Sequence, residues 1–402
     1  MRSPGHVVLG LALFALPALG QDTVSAPIDT SYVEYHDSPI TLPLGIGLRM
    51  PGYDRVNGLS LPWGPKLELG DEKLVVDGLV TYRSHLGKWD PSIEATARPA
   101  YGDEVAFYIG RATFTNDAWI RSDLINSAAA LFVGSDARNY YRADKVSLRY
   151  SHDLTSNSFT VTPFLGGGFE RDWSTGSLNP VKRPWSFYGR DGALRMRRPN
   201  PAVMRKHIGS IVGGSEIRYF RDDVDGKLAA TVEHALSGDE QVCGLPPSGP
   251  AVCALTPGNF TQTTIESTVQ FPTFGTQTFA FRAHALLSGS NVPPQRYGYM
   301  GGDATLATVN LLALGGDRLL YIEGEYDIPL KIFQLPFLGG PFVALRYAAG
   351  NAGVRKLPPL IQNVGIGVGV GVLRVDYAID PARNRSPFSR KSAVTWGISL
   401  PR

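Results

Sequence analysis

The stretch from Asp317 to Pro329 alternates strictly between two kinds of side chain, and this pattern limits the folds open to the chain. Glu323 and Glu325 are two residues apart, so they share one face of a strand, whereas Ile322 and Tyr326 lie on the other. A soluble sandwich rarely turns such a carboxylate pair towards its core, but a membrane barrel with a wet lumen does. The pattern therefore predicts one strand of a membrane-spanning barrel.

Similar alternation recurs along the chain, and it predicts an all-β fold built as a transmembrane antiparallel β-barrel. The predicted strands are Lys73–Ser84, Pro91–Arg98, Glu104–Thr115, Lys145–Asp153, Ser158–Trp173, His207–Phe220, Lys227–Leu236, Asn259–Pro272, Thr276–Leu287, Asp317–Pro329, Pro341–Ala349, Asn363–Val370, Val372–Ile379 and Ser392–Leu400. Arg55–Leu61 would add a further strand, and Thr41–Arg49 could partner it. Because single-chain barrels have even counts, we expect between about twelve and sixteen strands, with fourteen or sixteen favoured.

The connections between these strands fall into two length classes. Asp222–Gly226 and Thr273–Gly275 are short, whereas Ser174–Lys206, Ser237–Gly258 and Ser288–Gly316 are long. Outer-membrane barrels have short periplasmic turns and longer extracellular loops. The asymmetry therefore favours a barrel over a soluble sandwich.

The N-terminus has the order of a secretory signal peptide. Arg2 provides a positive start, Val7–Leu16 an apolar core, and Ala18–Gly20 a small-residue cleavage site. We therefore expect residues 1–20 to be removed, residues 21–52 to form a periplasmic tail or a partial plug, and residues 53–402 to form the barrel. This organisation predicts export to the outer membrane of a Gram-negative bacterium.

Cys243 and Cys253 flank a segment rich in glycine and proline. In an exported chain, two cysteines so close together predict a disulfide that closes a loop tip. A metal site is not expected, since no histidine lies beside the thiols.

Two groups of motifs resemble the bacterial surface-antigen superfamily, the barrels of BamA, TamA and their relatives. The first is the Tyr53–Leu59 opening; the second runs through Val292–Arg296, the pair Gly301 and Gly302, and Gly315–Leu330. In that family an arginine after the glycine pair holds the long loop in the lumen. Here Leu306–Val309 occupies the matching positions, so that arginine is missing.

The resemblance implies a barrel-only member without periplasmic client-receiving domains. It also implies a role in assembling or inserting proteins or lipids at the outer membrane, through a weakly closed seam between the first and last strands. On this hypothesis the seam joins Ser392–Leu400 to Lys73–Ser84 or to Arg55–Leu61. Expected partners are outer-membrane lipid and, for an assembly role, client outer-membrane proteins or periplasmic accessory proteins. The rival hypothesis is a passive pore or a structural barrel.

Charged residues on predicted inward faces are the candidate functional positions. They are Arg282, Glu323, Glu325, Arg346, Arg374 and Asp376. They could form a structural ion-pair network that fills the lumen. Alternatively, they could select solutes or dock the loop that carries Gly301 and Gly302.

A basic run lies in one predicted extracellular loop. Its members are Lys182, Arg183, Arg190, Arg195, Arg197, Arg198, Arg205 and Lys206. Outside the cell, such a run could bind lipid phosphates through charge-assisted hydrogen bonds, or it could remain a solvated loop. Nucleic acid is not expected as a partner of an exported barrel.

No catalytic motif emerges from the sequence. Ser151, His152 and Asp153 are adjacent, but consecutive strand residues point to opposite faces and cannot form a triad. Gly-x-Ser-x-Gly elbows, phosphate-binding loops and metal-spaced histidine pairs are not found in the sequence. We therefore expect a protein without enzymatic activity, metal or cofactor.

Overall fold

β-Strands make up most of the structure, which is a computed structural model. It describes residues 40–175, 187, 196–204, 207–221, 223–236, 240–244, 252–256, 259–289, 292–330, 340–371, 373–382 and 388–398. The predicted signal peptide and most of the predicted tail lie outside this range.

The strands, in chain order, are β1 Ile40–Thr41, β2 Gly52–Asp54, β3 Gly58–Trp63, β4 Lys66–Leu69, β5 Leu74–Arg83, β6 Lys88–Ala97, β7 Asp103–Phe114, β8 Tyr141–His152, β9 Leu154–Thr155, β10 Phe159–Trp173, β11 His207–Arg221, β12 Val224–Ala235, β13 Glu240–Gly244, β14 Val252–Thr256, β15 Phe260–Pro272, β16 Thr278–Ser288, β17 Gly298–Met300, β18 Leu314–Gly316, β19 Arg318–Pro329, β20 Pro341–Gly353, β21 Ile361–Val370, β22 Leu373–Ile379 and β23 Ser392–Ile398. The helical elements are α1 Asp123–Ala128, a π-helical turn Ala129–Val133, and 3₁₀ turns at Pro43–Gly45 and Pro294–Arg296.

One antiparallel sheet of nineteen strand segments forms the wall. Its ladder runs from β1 and β2 through β3–β4 to β5, and then through β6, β7, β8–β9, β10, β11, β12, β15, β16, β19, β20, β21 and β22 to β23. If each pair of consecutive segments (β1–β2, β3–β4 and β8–β9) is counted as one interrupted strand, the described residues form sixteen wall strands. The prediction of a membrane-spanning antiparallel barrel with an even strand number is confirmed.

The two faces of the wall have the polarity that lipid requires. On the outward face, Ile366, Val368 and Val375 are 47%, 53% and 47% exposed. On the inward face of β19, Glu323 and Glu325 are only 1% and 3% exposed. This distribution is the reverse of a soluble sandwich, because apolar side chains face the surroundings and carboxylates face a filled interior.

The strand ends separate a short-turn end from a long-loop end. Residues 98–102 and 273–277 form short turns at one end, whereas residues 115–140 and the described residues 292–317 belong to long connections at the other. The predicted difference in connection length is therefore present in the structure. The long connections fold back over and into the wall, as described below.

The pairing of the first strands shows that the predicted position of the seam is wrong. β5 pairs with β3 and β4 on one side and with β6 on the other, and β3 pairs with β2 as well as β5. Neither Lys73–Ser84 nor Arg55–Leu61 therefore lies at the end of the described ladder. That end is formed by β1 and β2, because the segment before the Tyr53–Leu59 motif folds back along β3 and β4 as a hairpin arm.

No helix in the part of the chain that the structure describes is long and apolar enough to cross a membrane.

Placing a charge on the outward face should destabilise the barrel. Ile366→Lys puts an ammonium group near the middle of β21, where lysine costs about 2–4 kcal/mol against lipid. We expect the free energy of unfolding in vesicles, measured by chemical denaturation, to fall by that amount. The control is Thr264→Lys on β15, where the side chain lines a cavity inside the barrel; this change should lower the free energy of unfolding much less. Equal losses for the two variants would contradict the assignment of the faces.

Candidate functional site

The long connection between β16 and β19 packs inside the barrel. Its described part, residues 292–317, contains the small hairpin β17–β18. Met300 and Leu306 are fully buried and join a hydrophobic cluster with Leu319 and Tyr321 of β19 and Ile361 of β21. Burial of these apolar side chains against the wall holds the connection in the lumen, and we call it the lumen loop.

Gly301 and Gly302 form the sharp turn of the lumen loop. Their φ angles are +122° and +94°, in a region that residues with a Cβ atom rarely adopt. A Cβ atom at Gly301 would lie 2.2 Å from the carbonyl oxygen of Asn310. The Gly302 amide donates to the carbonyl oxygen of Val309 at 2.9 Å. The predicted glycine pair is therefore required by the turn itself.

Two wall arginines hold this turn by its backbone. Arg346 donates to the carbonyl oxygens of Asp303 and Thr305 at 3.1 and 2.9 Å. Arg282 donates to the carbonyl oxygen of Ala304 at 3.0 Å. Three successive carbonyl groups of the lumen loop thus bind guanidinium groups that belong to β16 and β20.

A buried carboxylate keeps the two arginines together. Glu323 accepts from Arg282 at 2.5 Å, and its other oxygen lies 3.1 Å from Nε of Arg346. The Tyr321 hydroxyl donates to Glu323 at 2.6 Å. We call Arg282, Tyr321, Glu323 and Arg346 the tip anchor. It supplies from the wall the arginine contacts that the resemblance places on the loop, where Leu306–Val309 has none.

The other three predicted lumen charges form a separate group. Arg374 donates to Glu325 at 2.8 Å and to Asp376 at 2.7 Å. A Cβ atom at Gly367 would lie 2.3 Å from Asp376, so the glycine of β21 makes room for this ion pair. The six predicted charges therefore do meet in the lumen, but they divide between a group that binds the lumen loop and a group confined to the wall.

A second anchor was not predicted from the sequence. Arg296, at the start of the lumen loop, pairs with Glu170 of β10 and with Glu233 of β12, and donates to the Tyr141 hydroxyl at 2.7 Å. Gln262 donates to the carbonyl oxygen of Arg296 at 3.0 Å. We call these residues the stem anchor. Arg296 belongs to the resemblance motif, but Glu170 and Tyr141 are 126 and 155 residues away in sequence, and no local pattern connects them with Arg296.

The loop between β7 and β8 packs against the lumen loop. Arg121 donates to Asp303 at 2.5 Å, and the Trp119 ring stacks on His284 of β16 at 4.2 Å between centroids. The π-helical turn that follows α1 contacts both β2 and β23. Ser127 accepts from the amide of Tyr53 at 3.1 Å. The π-helical turn Ala129–Val133 therefore lies beside both ends of the described ladder.

Arg55 joins the first hairpin to the long loops. It is fully buried and donates to the carbonyl oxygens of Arg198 and Arg138 at 2.5 and 3.2 Å. Its guanidinium also lies 5.5 Å from the centroid of the Tyr140 ring. The Tyr53–Leu59 motif thus carries the arginine around which three separate segments pack.

Asp117 connects the β7–β8 loop to the lumen loop. Its carboxylate accepts from the amides of Asn139 at 2.8 Å and Tyr299 at 3.2 Å. Burial raises the pKa of the Asp117 carboxyl to about 7, although these hydrogen bonds and the charges of Arg198 and Arg138 oppose the shift. The carboxyl therefore titrates near neutral pH while it bridges two loops.

The described residues line two sizeable cavities inside the barrel. One of about 450 Å³ lies below the stem anchor and is lined by Lys145, Arg149, Glu233 and Glu266 among others. The other, of about 340 Å³, lies between the lumen loop and the last strand. Its lining includes Asp303 and Thr308–Leu311 on one side and Ala393–Trp396 on the other. We call the second one the edge cavity.

Six residues of the predicted basic run lie outside the described residues. They are Lys182, Arg183, Arg190, Arg195, Arg205 and Lys206. Arg197 is exposed, whereas Arg198 donates to the carbonyl oxygen of Arg138 at 2.7 Å among the packed loops.

The backbone of the β13–β14 hairpin pairs Cys243 directly with Cys253. The disulfide itself stays a prediction.

Comparison with known proteins gives the fold a context. No family model matches the sequence, and no curated protein matches it. BamA from Haemophilus ducreyi lacking POTRA domains 1–3 matches with a TM-score of 0.52 and 11% identity, over 86% of this chain and 69% of that chain. This chain has the barrel fold of BamA. The resemblance inferred from the motifs is therefore confirmed at the level of the fold.

Two further solved structures match this BamA-type barrel less closely. CdiB from Escherichia coli and CdiB from Acinetobacter baumannii have TM-scores of 0.45 and 0.44, with 13% and 11% identity. Each match covers 87% of this chain, but only 61% and 58% of the respective CdiB chains. The chain thus spans about three-fifths of the length of these two proteins.

Removing one arginine of the tip anchor should release the loop. Arg346→Met leaves two loop carbonyl groups without their donor and Glu323 with one arginine fewer, and breaking a buried pair costs about 3–5 kcal/mol. We expect cleavage between residues 301 and 309 by an added protease to become readily detectable. The control is Arg218→Met, which removes an exposed pair with Glu216 that is worth less than about 1 kcal/mol. Protection equal to that of the wild type would contradict the anchor.

The loop packing should also depend on pH through Asp117. Because the folded pKa of about 7 exceeds the ordinary 3.8, the stabilising contribution is complete below about pH 4 and is lost as pH rises through 7. We expect hydrogen exchange of residues 115–140, corrected for intrinsic rates, to be faster at pH 8 than at pH 6. Asp117→Asn should abolish that difference. Asp123→Asn, whose side chain is 91% exposed, should retain it; if Asp117→Asn also retained it, another group would be responsible.

Proposed function

We propose that this barrel assists the assembly or insertion of proteins or lipids at the outer membrane. The observation that carries the proposal is the edge cavity of about 340 Å³, which lies directly against the last strand of the ladder. The BamA-type fold supports the same role. On this proposal the short-turn end is periplasmic and the long-loop end extracellular, as in other outer-membrane barrels.

The lumen loop already makes strand-like contacts beside this cavity. The amide of Asn310 donates to the carbonyl oxygen of Phe388 at 3.0 Å, and the amide of Arg390 donates to that of Thr308 at 2.7 Å. Val309 and Ser389 therefore form an antiparallel bridge just before β23 begins. An incoming extended segment could use the same kind of backbone pairing further along β23. The lumen loop would then occupy this pairing position until a client binds, and it would either guide the client or be displaced by it.

The tip anchor gives this loop a defined position. Buried, hydrogen-bonded arginines hold the backbone of residues 303–305, while residues 308–310 pair with the segment just before the last strand. Any movement at the edge cavity is therefore coupled to the Arg282, Glu323 and Arg346 group. On this proposal Arg282, Glu323 and Arg346 dock the Gly301–Gly302 turn rather than select solutes.

The second candidate function is a passive pore. The cavity of about 450 Å³ favours it, because Lys145, Arg149 and Glu266 give it a polar lining. The anchored lumen loop argues for low conductance, since it packs across the interior above this cavity. A steady, ion-selective current in planar bilayers that changes with Glu323→Gln or Arg374→Gln would favour the pore over assembly.

We propose no catalytic role. His152 lies 2.7 Å from Asp103 of a neighbouring strand, and Thr162 donates to Asp153 at 2.7 Å. The adjacent Ser151 is buried on the opposite face of β8. The three consecutive residues thus serve separate contacts in the wall.

A reversible crosslink across the edge cavity tests the assembly proposal. A Cβ atom at Gly397 would lie 3.5 Å from the Asp303 carboxylate, so the side chains at these two positions approach each other across the cavity, and oxidation of cysteines placed there is used to tie the lumen loop to the last strand. In a background with Cys243→Ser and Cys253→Ser, we expect oxidised Asp303→Cys/Gly397→Cys protein to lose at least about tenfold in its rate of inserting a reporter barrel into vesicles. Reduction should restore the rate.

The reduced double variant and each single cysteine variant are the controls, because they carry the substitutions without the crosslink. Full insertion activity in the oxidised protein would exclude the edge cavity as the working site. In cells, depletion of the protein followed by outer-membrane proteomics and lipid analysis should reveal which class of client is lost. Unchanged protein and lipid composition would contradict an assembly role altogether.

A further inference from the structure

A deep apolar groove lies on the outer surface of the wall, away from the lumen and the edge cavity. It has a volume of about 620 Å³ and crosses four strands, β16, β19, β20 and β21. Gly324 lies at its centre. The register places Gly324 between Phe281 and Tyr347 on the neighbouring strands, with Ile322 and Tyr326 before and after it on β19. The groove therefore has a glycine floor inside a ring of large apolar side chains.

The missing side chain at Gly324 creates this depression. A Cβ atom there would lie 3.4 Å from the ring of Phe279, which is an ordinary contact distance, and the backbone needs no left-handed conformation. Glycine is thus not required by the fold at this position. A larger side chain would simply project outwards and fill the groove.

The groove offers almost no polar atom to an occupant. Glu323 and Arg346 border it, but their side chains point into the lumen, where they pair at 3.1 Å. The Tyr326 hydroxyl, at the rim, accepts from Thr273 at 3.0 Å and donates to Gln277. An occupant must therefore be apolar along its whole length.

The surroundings show what this occupant is. Leu345, Val364 and Ile366 are 48%, 43% and 47% exposed and continue the outward belt on the far side of the groove. The groove lies near the middle of β19 and thus near the centre of the membrane-facing surface. Lipid chains cover that surface in a membrane-spanning barrel. Interfaces between helices in membranes combine close packing with interhelical hydrogen bonds, and this groove offers almost no polar atom for such a bond.

We propose that this groove binds one acyl chain of a membrane lipid more tightly than the flat wall around it does. Transfer from surrounding lipid brings no hydrophobic gain, because both environments are apolar. The gain is dispersion, because an acyl chain in a concave groove touches protein atoms on several sides rather than on one. The glycine floor lets the chain approach the backbone of β19.

Native mass spectrometry of the full chain tests this proposal. The protein is reconstituted in nanodiscs of phosphatidylethanolamine or phosphatidylglycerol with identical acyl chains, and it is then released by stepwise activation. We expect the wild type to retain one lipid at energies where Gly324→Leu has lost it, with the retained fraction at least about threefold lower in the variant. Gly324→Ala, which fills less of the groove, should fall between them.

The matched control is Gly78→Leu, another glycine on the outward face, beside Ile93 of the next strand. A Cβ atom at Gly78 meets nothing within 4 Å, so the added side chain alters no groove. This variant should retain lipid like the wild type, and heat-modifiable gel mobility checks that every variant is folded. Equal retention by Gly324→Leu and Gly78→Leu would overturn the proposal.

Two other outcomes would also overturn it. Retention that follows the headgroup rather than the acyl chain would place the bound lipid at a rim and not in the groove. A retained mass that corresponds to a protein would identify a polypeptide partner instead. Retention that is the same for both headgroups and lost only when Gly324 is filled would support it. This result is independent of the insertion assay, so the groove and the assembly role can fail separately.

Discussion

Two wall arginines, Arg282 and Arg346, share the buried carboxylate of Glu323, and this ion-pair group holds the lumen loop inside the barrel. Glu323 alone would be costly to bury, and so would Arg282 or Arg346, because each charge loses its water. Pairing with Glu323 lowers this cost, and the excess positive charge and the remaining N–H groups of the two arginines bind the backbone carbonyl groups of residues 303–305. At the tip anchor, the wall arginines therefore hold the lumen loop through main-chain carbonyl groups, which every sequence provides.

The two anchors bind the lumen loop in opposite directions. At the tip, guanidinium groups of the wall bind carbonyl oxygens of the loop. At the stem, the guanidinium group of Arg296 on the loop binds wall carboxylates of β10 and β12. The two anchors fix the loop near its start and at its turn, and that position places residues 308–310 against the segment before β23.

The outward face of the wall contacts lipid, whereas the inward face contacts the filled lumen, so the two faces need different side chains. Outward positions need only be apolar, so a gap such as the one at Gly324 is open to lipid rather than to another side chain. Inward positions need paired charges, and a glycine there, such as Gly367, makes room for an ion pair between Arg374 and Asp376. Glycine thus shapes both surfaces, but for opposite chemical reasons.

Alternation alone determined most of the wall, because side chains in a strand have period two and each face meets a different solvent. It placed Glu323 inside and Tyr326 outside, and the conformation of the Gly301–Gly302 turn was implicit in its residues. Alternation could not show which charges meet: Arg296 and Glu170 are 126 residues apart in sequence and meet only in the interior of the folded chain. The tertiary structure decided the pairing across the lumen and the position of the π-helical turn Ala129–Val133 beside both ends of the ladder, since buried charges and orphan backbone groups must find partners wherever folding brings them.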